Sequence, residues 1–231
     1  MSGAAALDAV LAELRARGSA RHREGQASFG IETRRAFGVS VPGIRAVARL
    51  HRGDHALALA LWDSGWHEAR ILAAMIADPA RAGSALLDRW AGDLESWDVT
   101  DGFANELVRR TALAWDKAVA WPADDREFVR RAGFALQACL AVHDKAADDA
   151  RFEALLPLIA AHAGDERNFV KKAVNWSLRQ IGKRNPRLNA SAVTAAEALT
   201  ARESAAARWI GRDALRELTS EKVQARLAAR A

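Results

Sequence analysis

Two near-identical pentads, Phe128-Val-Arg-Arg-Ala132 and Phe169-Val-Lys-Lys-Ala173, stand 41 residues apart, and each sits in an amphipathic stretch with helical period. An array of helix pairs repeated about every 40 residues accounts for both facts, because each pair buries its apolar face only by stacking on the next. His67-Glu-Ala-Arg-Ile71 and Ala207-Arg-Trp-Ile210 are looser copies. These and the other segments with helical period are Ala4–Arg17, Val41–His51, Asp54–Trp62, His67–Ala77, Ser84–Leu94, Trp97–Arg110, Arg126–Val142, Asp149–Ala163, Asn168–Lys183, Ala190–Thr200 and Ala205–Leu215. None combines β-branched residues with strict alternation, so no strand is expected. Pro79, Pro122 and Pro186 fall between segments, where a helix breaker belongs. Half the residues are apolar, mostly Ala, Leu and Val, which suits helices and a sizeable core.

The expected fold is therefore all-α, a HEAT-like helical-repeat solenoid. No linker interrupts the chain, so residues 1–231 are expected to form one domain. Cys139 is the sole cysteine and lies on an apolar helix stripe, which makes it a core residue and excludes an internal disulfide or a cysteine metal cage. The six histidines lack ligand spacing, so neither a metal nor another cofactor is expected. Residues 1–14 read as an amphipathic helix without the basic start of a signal peptide, and no apolar run is long enough to span a membrane. The expected location is the cytoplasm. Glycine-rich phosphate loops and Ser/His/Asp arrangements are absent from the sequence, so any chemistry rests on carboxylates, aromatics and arginines.

Charge is uneven along the chain. Residues 1–120 hold 15 basic and 15 acidic side chains, whereas residues 121–231 hold 19 and 14, so the net charge of +5 lies wholly in the second part. Between Arg167 and Arg187 there are seven bases and no acid. Such a run is either a solvated helix face or a field that attracts a polyanion.

Three helices have polar faces unlike ordinary surface. In Asn168–Lys183, Val170, Ala173, Val174, Ser177, Leu178 and Ile181 form one stripe, and Lys172, Trp176, Arg179 and Lys183 form the opposite one. A tryptophan set among cations fits a nucleic-acid surface, where bases meet phosphates and the ring meets sugar or base; a boundary tryptophan is the alternative. In Trp97–Arg110 the apolar stripe is Val99, Phe103 and Leu107, while Trp97, Asp101 and Asn105 align on another face. Ser96 reads as the N-cap and Asp98 as a first-turn acid favoured by the helix dipole; Asp101, one turn further in and aligned with an aromatic, is either a functional carboxylate or a plain surface acid paired with a neighbouring base. In Arg126–Val142, Phe128, Ala132, Leu136 and Cys139 face the core. Arg131 lies near Ala135 and Ala138, small neighbours that admit either a DNA backbone or another helix.

Ser96-Trp-Asp-Val-Thr-Asp101, Phe128-Val-Arg-Arg-Ala-Gly133 and Asn168-Phe-Val-Lys-Lys-Ala-Val-Asn-Trp-Ser-Leu-Arg179 together resemble the bacterial AlkD-like DNA alkylation repair family. Phe37-Gly-Val-Ser-Val-Pro-Gly-Ile-Arg45 resembles that family's N-terminal part. The resemblance implies HEAT-like repeats around a basic concave groove, and a monofunctional glycosylase for N3- and N7-alkylated purines in duplex DNA. It gives Trp97, Asp101 and Trp176 catalytic roles and makes Arg131 a DNA-backbone contact. Arg130, Lys172, Arg179 and Lys183 join Arg131 as expected DNA-binding residues. The partner is then duplex DNA carrying alkylated bases, and the protein acts as a monomer on the nucleoid. The competing expectation is a non-catalytic HEAT-like scaffold for distorted or branched DNA or for a protein partner.

Overall fold

Capping side chains and glycines set the helix boundaries that the periodicity only approximates. Ser40, Asp54, Asn185 and Ser204 each accept a hydrogen bond from the backbone N–H three residues on, so each satisfies one of the donors left open at a helix start. The computed structural model describes residues 3–229. Among these there is no strand, and the chain groups into two compact units, Met1–Leu113 and Ala114–Ala231.

The first unit contains α1 (Gly3–Arg17), α2 (Ala20–Ser28), α3 (Val41–Ala48), α4 (His55–Asp63), α5 (His67–Ile76), α6 (Ser84–Gly92) and α7 (Trp97–Gly102). Helix α5 packs between α3 and α7, with α4 against it. The core is aromatic: Trp62 and Trp90 stack with centroids 4.1 Å apart and planes 1° from parallel, and Phe103 lies 5.6 Å from Trp62. Such offset stacking adds about 0.5–1.5 kcal/mol beyond the area buried. Glu68 on α5 is fully buried, and its carboxylate accepts the backbone N–H groups of Phe37, Gly38 and Val39 at 2.8–3.1 Å and the Gln26 amide at 3.2 Å. The turn it holds requires Gly38, which has φ +78° and whose missing Cβ would sit 2.3 Å from the Ser19 carbonyl oxygen.

The second unit contains α8 (Ala114–Ala120), α9 (Glu127–His143), α10 (Asp149–Glu153), α11 (Leu156–His162), α12 (Asn168–Gly182), α13 (Pro186–Thr200), α14 (Ala205–Leu218) and α15 (Glu221–Ala228). Helix α12 packs on α9, α13 and α14. The repeat inferred from the pentads is a physical stack, since Phe128 and Phe169, the first residue of each, tilt together with centroids 5.5 Å apart. Below them the Ser177 hydroxyl donates to Gln137 at 2.8 Å in the buried layer between α9 and α12.

Two sequence expectations need correction. Asp149–Ala163 is two helices, because Pro157 at the start of α11 supplies no N–H to continue α10. Phe128 is half-buried instead of fully in the core, and its ring lies against Phe169.

Candidate nucleic-acid interface

In the first unit the site rests on α7. Ser96 occupies the N-cap position with extended backbone, but its hydroxyl accepts nothing from the helix. It donates instead to Asp98 at 2.9 Å. Asp98 also accepts the Val99 N–H at 3.0 Å and bonds the His67 ring at 2.9 Å, which fastens α7 to α5. Burial alone would raise the Asp98 carboxyl, but the bonds from His67, Ser96 and Val99 outweigh it and hold the group below the ordinary aspartate value. Asp98 is therefore structural.

Trp97 precedes it, half-buried, with its indole N–H donating to the Phe29 carbonyl at 3.1 Å. Trp97, Phe29, Ile31, Val39, Val41 and Ile71 line an apolar hollow of about 470 Å³. Phe29 is 69% exposed there, and its position beside Trp97 was not read from the sequence. Asp101 sits one turn after Trp97 and is half-exposed. Immediately beyond it the helix widens into a single π turn, Phe103–Leu107, and tightens again over Val108–Arg110. Such turns are rare and concentrate at functional sites. Phe103 and Leu107 stay buried through the wider turn. The Asn105 side chain and backbone carbonyl accept from Arg109.

In the second unit the apolar stripe of α12 is buried as expected, from Val170 to Ile181. On the opposite face Lys172 is exposed and Trp176, Arg179 and Lys183 are half-buried. The Lys172 side chain forms no ion pair, and the Trp176 side chain no hydrogen bond or ring contact, among the described residues.

The cations around them are placed differently from the open stripe that the sequence implied. Arg179 and Lys183 both pair with Glu217 of α14 at 2.5 Å, and Arg179 also lies 3.6 Å from Asp213. Burial would raise the Glu217 carboxyl, but Lys183 and Arg179 hold it below its usual value. Arg130 pairs with Asp165 at 2.8 Å and Asp125 at 3.2 Å. Arg167 completes that cluster, and although burial opposes ionisation, the two arginines bring Asp165 down to about 2. Arg131 is 6% exposed and donates to the Phe169 carbonyl at 2.6 Å, joining α9 to the start of α12.

The small residues beside Arg131 thus serve helix packing: Ala135 and Ala138 are buried, and Gly133 leaves room for Pro122, which a Cβ would meet at 2.4 Å. The rest of the seven-base run is similarly occupied. Lys171 lies over Trp209, Arg184 donates to the Ala141 and Asp144 carbonyls, and Arg187 pairs with Glu153.

The architecture defines the class. The chain superposes with a TM-score of 0.78 on a solved structure from "a new family of proteins related to the HEAT-like repeat DNA glycosylases with affinity for branched DNA structures". That match covers 96% of this chain and 95% of the other at 23% identity, which establishes an all-α HEAT-like repeat fold. Residues 10–218 match the family model described as DNA alkylation repair enzyme, and the chain belongs to that family. No curated protein matches the sequence.

Proposed function

We propose that the protein is a monofunctional DNA glycosylase that hydrolyses the N-glycosidic bond of cationic alkylated purines, N3-methyladenine and N7-methylguanine, in duplex DNA. The observation that carries this reading is the place of Asp101 on α7, partly exposed, one turn from Trp97 and immediately before the π turn. Family membership supplies the context of alkylation repair.

An alkylated purine already carries positive charge and leaves without a general acid. The species that needs help is the oxocarbenium-like sugar. The Asp101 carboxylate stabilises it electrostatically and takes the proton from the water that adds at C1′ as the purine departs with its bonding electrons. The electron-rich face of Trp97 stabilises that cation by about 0.5–2 kcal/mol, and Trp176 offers a like aromatic face to the DNA from the second unit. Lys172 holds a flanking phosphate, and Arg179 and Lys183 add to it where they can exchange Glu217 for phosphate. Arg130 and Arg131 act by positioning α9 and α12. This reading treats residues 1–231 as one repeat domain, acting as a monomer on nucleoid DNA in the cytoplasm.

A second reading is favoured by the structural neighbour, whose family has affinity for branched DNA: a non-catalytic scaffold for branched or distorted DNA. The two separate in one experiment. Purified protein is incubated with methylated duplex, base release is compared with spontaneous loss, and binding to a four-way junction and a linear duplex is measured in parallel. Release above background supports the glycosylase. Background release together with preference for the junction supports the scaffold.

A further inference from the structure

We propose that a five-arginine hollow in the first unit binds the phosphodiester backbone of DNA, as a contact surface additional to the α7 and α12 residues. The inference rests on the reading that the substrate is DNA, and it assigns that substrate a second set of contacts.

The hollow measures about 480 Å³ and is lined by Arg45, Arg49, Arg52, Arg109 and Arg110, with Glu106 and Asp78 as its only acids. Three stretches distant in sequence build it: α3 with the turn that follows, the end of α5, and the tight turn after the π turn. The two acids offset the field only in part. Glu106 pairs with Arg45 at 3.2 Å, and Asp78 caps the turn at 79–81 by accepting the Ala80 N–H at 3.0 Å. Five guanidinium groups thus meet two carboxylates. Arg49 and Arg52 are exposed, and their side chains form no hydrogen bond or ion pair among the described residues.

The residue type matters as much as the charge. Every cation of residues 1–113 is an arginine, and Lys117 is the first lysine in the chain. A guanidinium offers a rigid fork that matches the two anionic oxygens of a phosphodiester, and it sheds its hydration more readily than an ammonium. The shape favours a polyanion over a single small anion. The hollow is open and its cations come from separate elements, so one phosphate neutralises only one or two of them. A duplex backbone presents a charge for about every 1.7 Å of helix axis and can satisfy all the unpaired guanidiniums together.

The test compares wild type with R49Q/R52Q and R49K/R52K in binding a fluorescent unmodified duplex over a salt series, with thermal melts confirming the fold. The glutamine variant is expected to reduce the slope of log K against log salt by about two and to weaken binding about tenfold or more at low salt. The lysine variant is expected to retain the slope. Tripolyphosphate competes in a parallel arm and is expected to displace the duplex only at concentrations where simple salt of equal ionic strength also does. If wild type binds duplex and the glutamine variant matches it in affinity and slope, the hollow is not a backbone contact, while the DNA reading stands. If wild type binds tripolyphosphate tightly but no duplex, the hollow is a small-anion site and both readings fail.

Discussion

The two units use charge in opposite ways. In the second unit, where the whole net charge of the chain resides, carboxylates occupy most of the basic run Arg167–Arg187: Glu217 and Glu153 from about a repeat away, and Asp165 from two residues before Arg167. In the first unit basic and acidic residues balance, yet Arg49 and Arg52 stand open. Its acids Glu68 and Asp98 are turned inward to hold a loop and a helix start, which takes negative charge off the surface. The comparison teaches that a stretch of like charge in a repeat protein reports little until its neighbours in the stack are known. An electrically neutral stretch can present a positive surface when its carboxylates are structural.

The largest test of this contrast is Glu68→Ala. Removing that carboxylate leaves three buried N–H groups without an acceptor, at about 1–3 kcal/mol each. A loss of about 3–4 kcal/mol is expected in urea melts after partial relaxation. A loss below about 1 kcal/mol would mean that the inward acids of the first unit are not structural.

Acid titration probes the second unit. Asp165 ionises in the fold at about 2 instead of the ordinary 3.8, so its paired form adds stability above pH 4. That contribution is lost as pH falls from about 4 through about 2. Asp165→Asn is expected to flatten this part of the stability profile, and an unchanged profile would remove the Arg130–Asp165–Arg167 cluster from the account.

Glu217→Gln sharpens the contrast at little cost to stability, because partly exposed ion pairs contribute about 0–1 kcal/mol. Releasing Arg179 and Lys183 is expected to tighten DNA binding and steepen the salt dependence by up to about two. No change in either would place these two cations outside the binding surface. The smallest effect separates neighbours on α12. Lys172→Ala is expected to lower the salt slope by about one, and Arg179→Ala by less, because its partner carboxylates already neutralise it. Equal losses would show that phosphate displaces Glu217 freely.

Much of the fold was legible in the sequence, because helical period and the repeated Phe-Val-basic-basic-Ala pentad both reflect the same stacked faces. The buried stripe of α12 was read residue by residue, as was the structural role of Asp98. The π turn was not, since a bulge leaves Val99, Phe103 and Leu107 at the spacing of an ordinary helix. Arg131 lies among alanines either way, and only the packing of α9 shows that the space is filled. The pairing of Arg179 and Lys183 with Glu217 spans more than thirty residues and leaves no local trace. Phe29 follows a short polar helix, and nothing in that stretch announces that Trp97 folds against it.

The role proposed for Asp101 is to stabilise charge developing on the sugar. Single-turnover release of N3-methyladenine and N7-methylguanine by Asp101→Asn beside wild type, each expressed over the spontaneous rate, puts this to the test. Wild type is expected to exceed the background, the variant still to bind alkylated duplex, and its excision to fall by about 10²–10³. Equal excision by the two proteins would contradict this role.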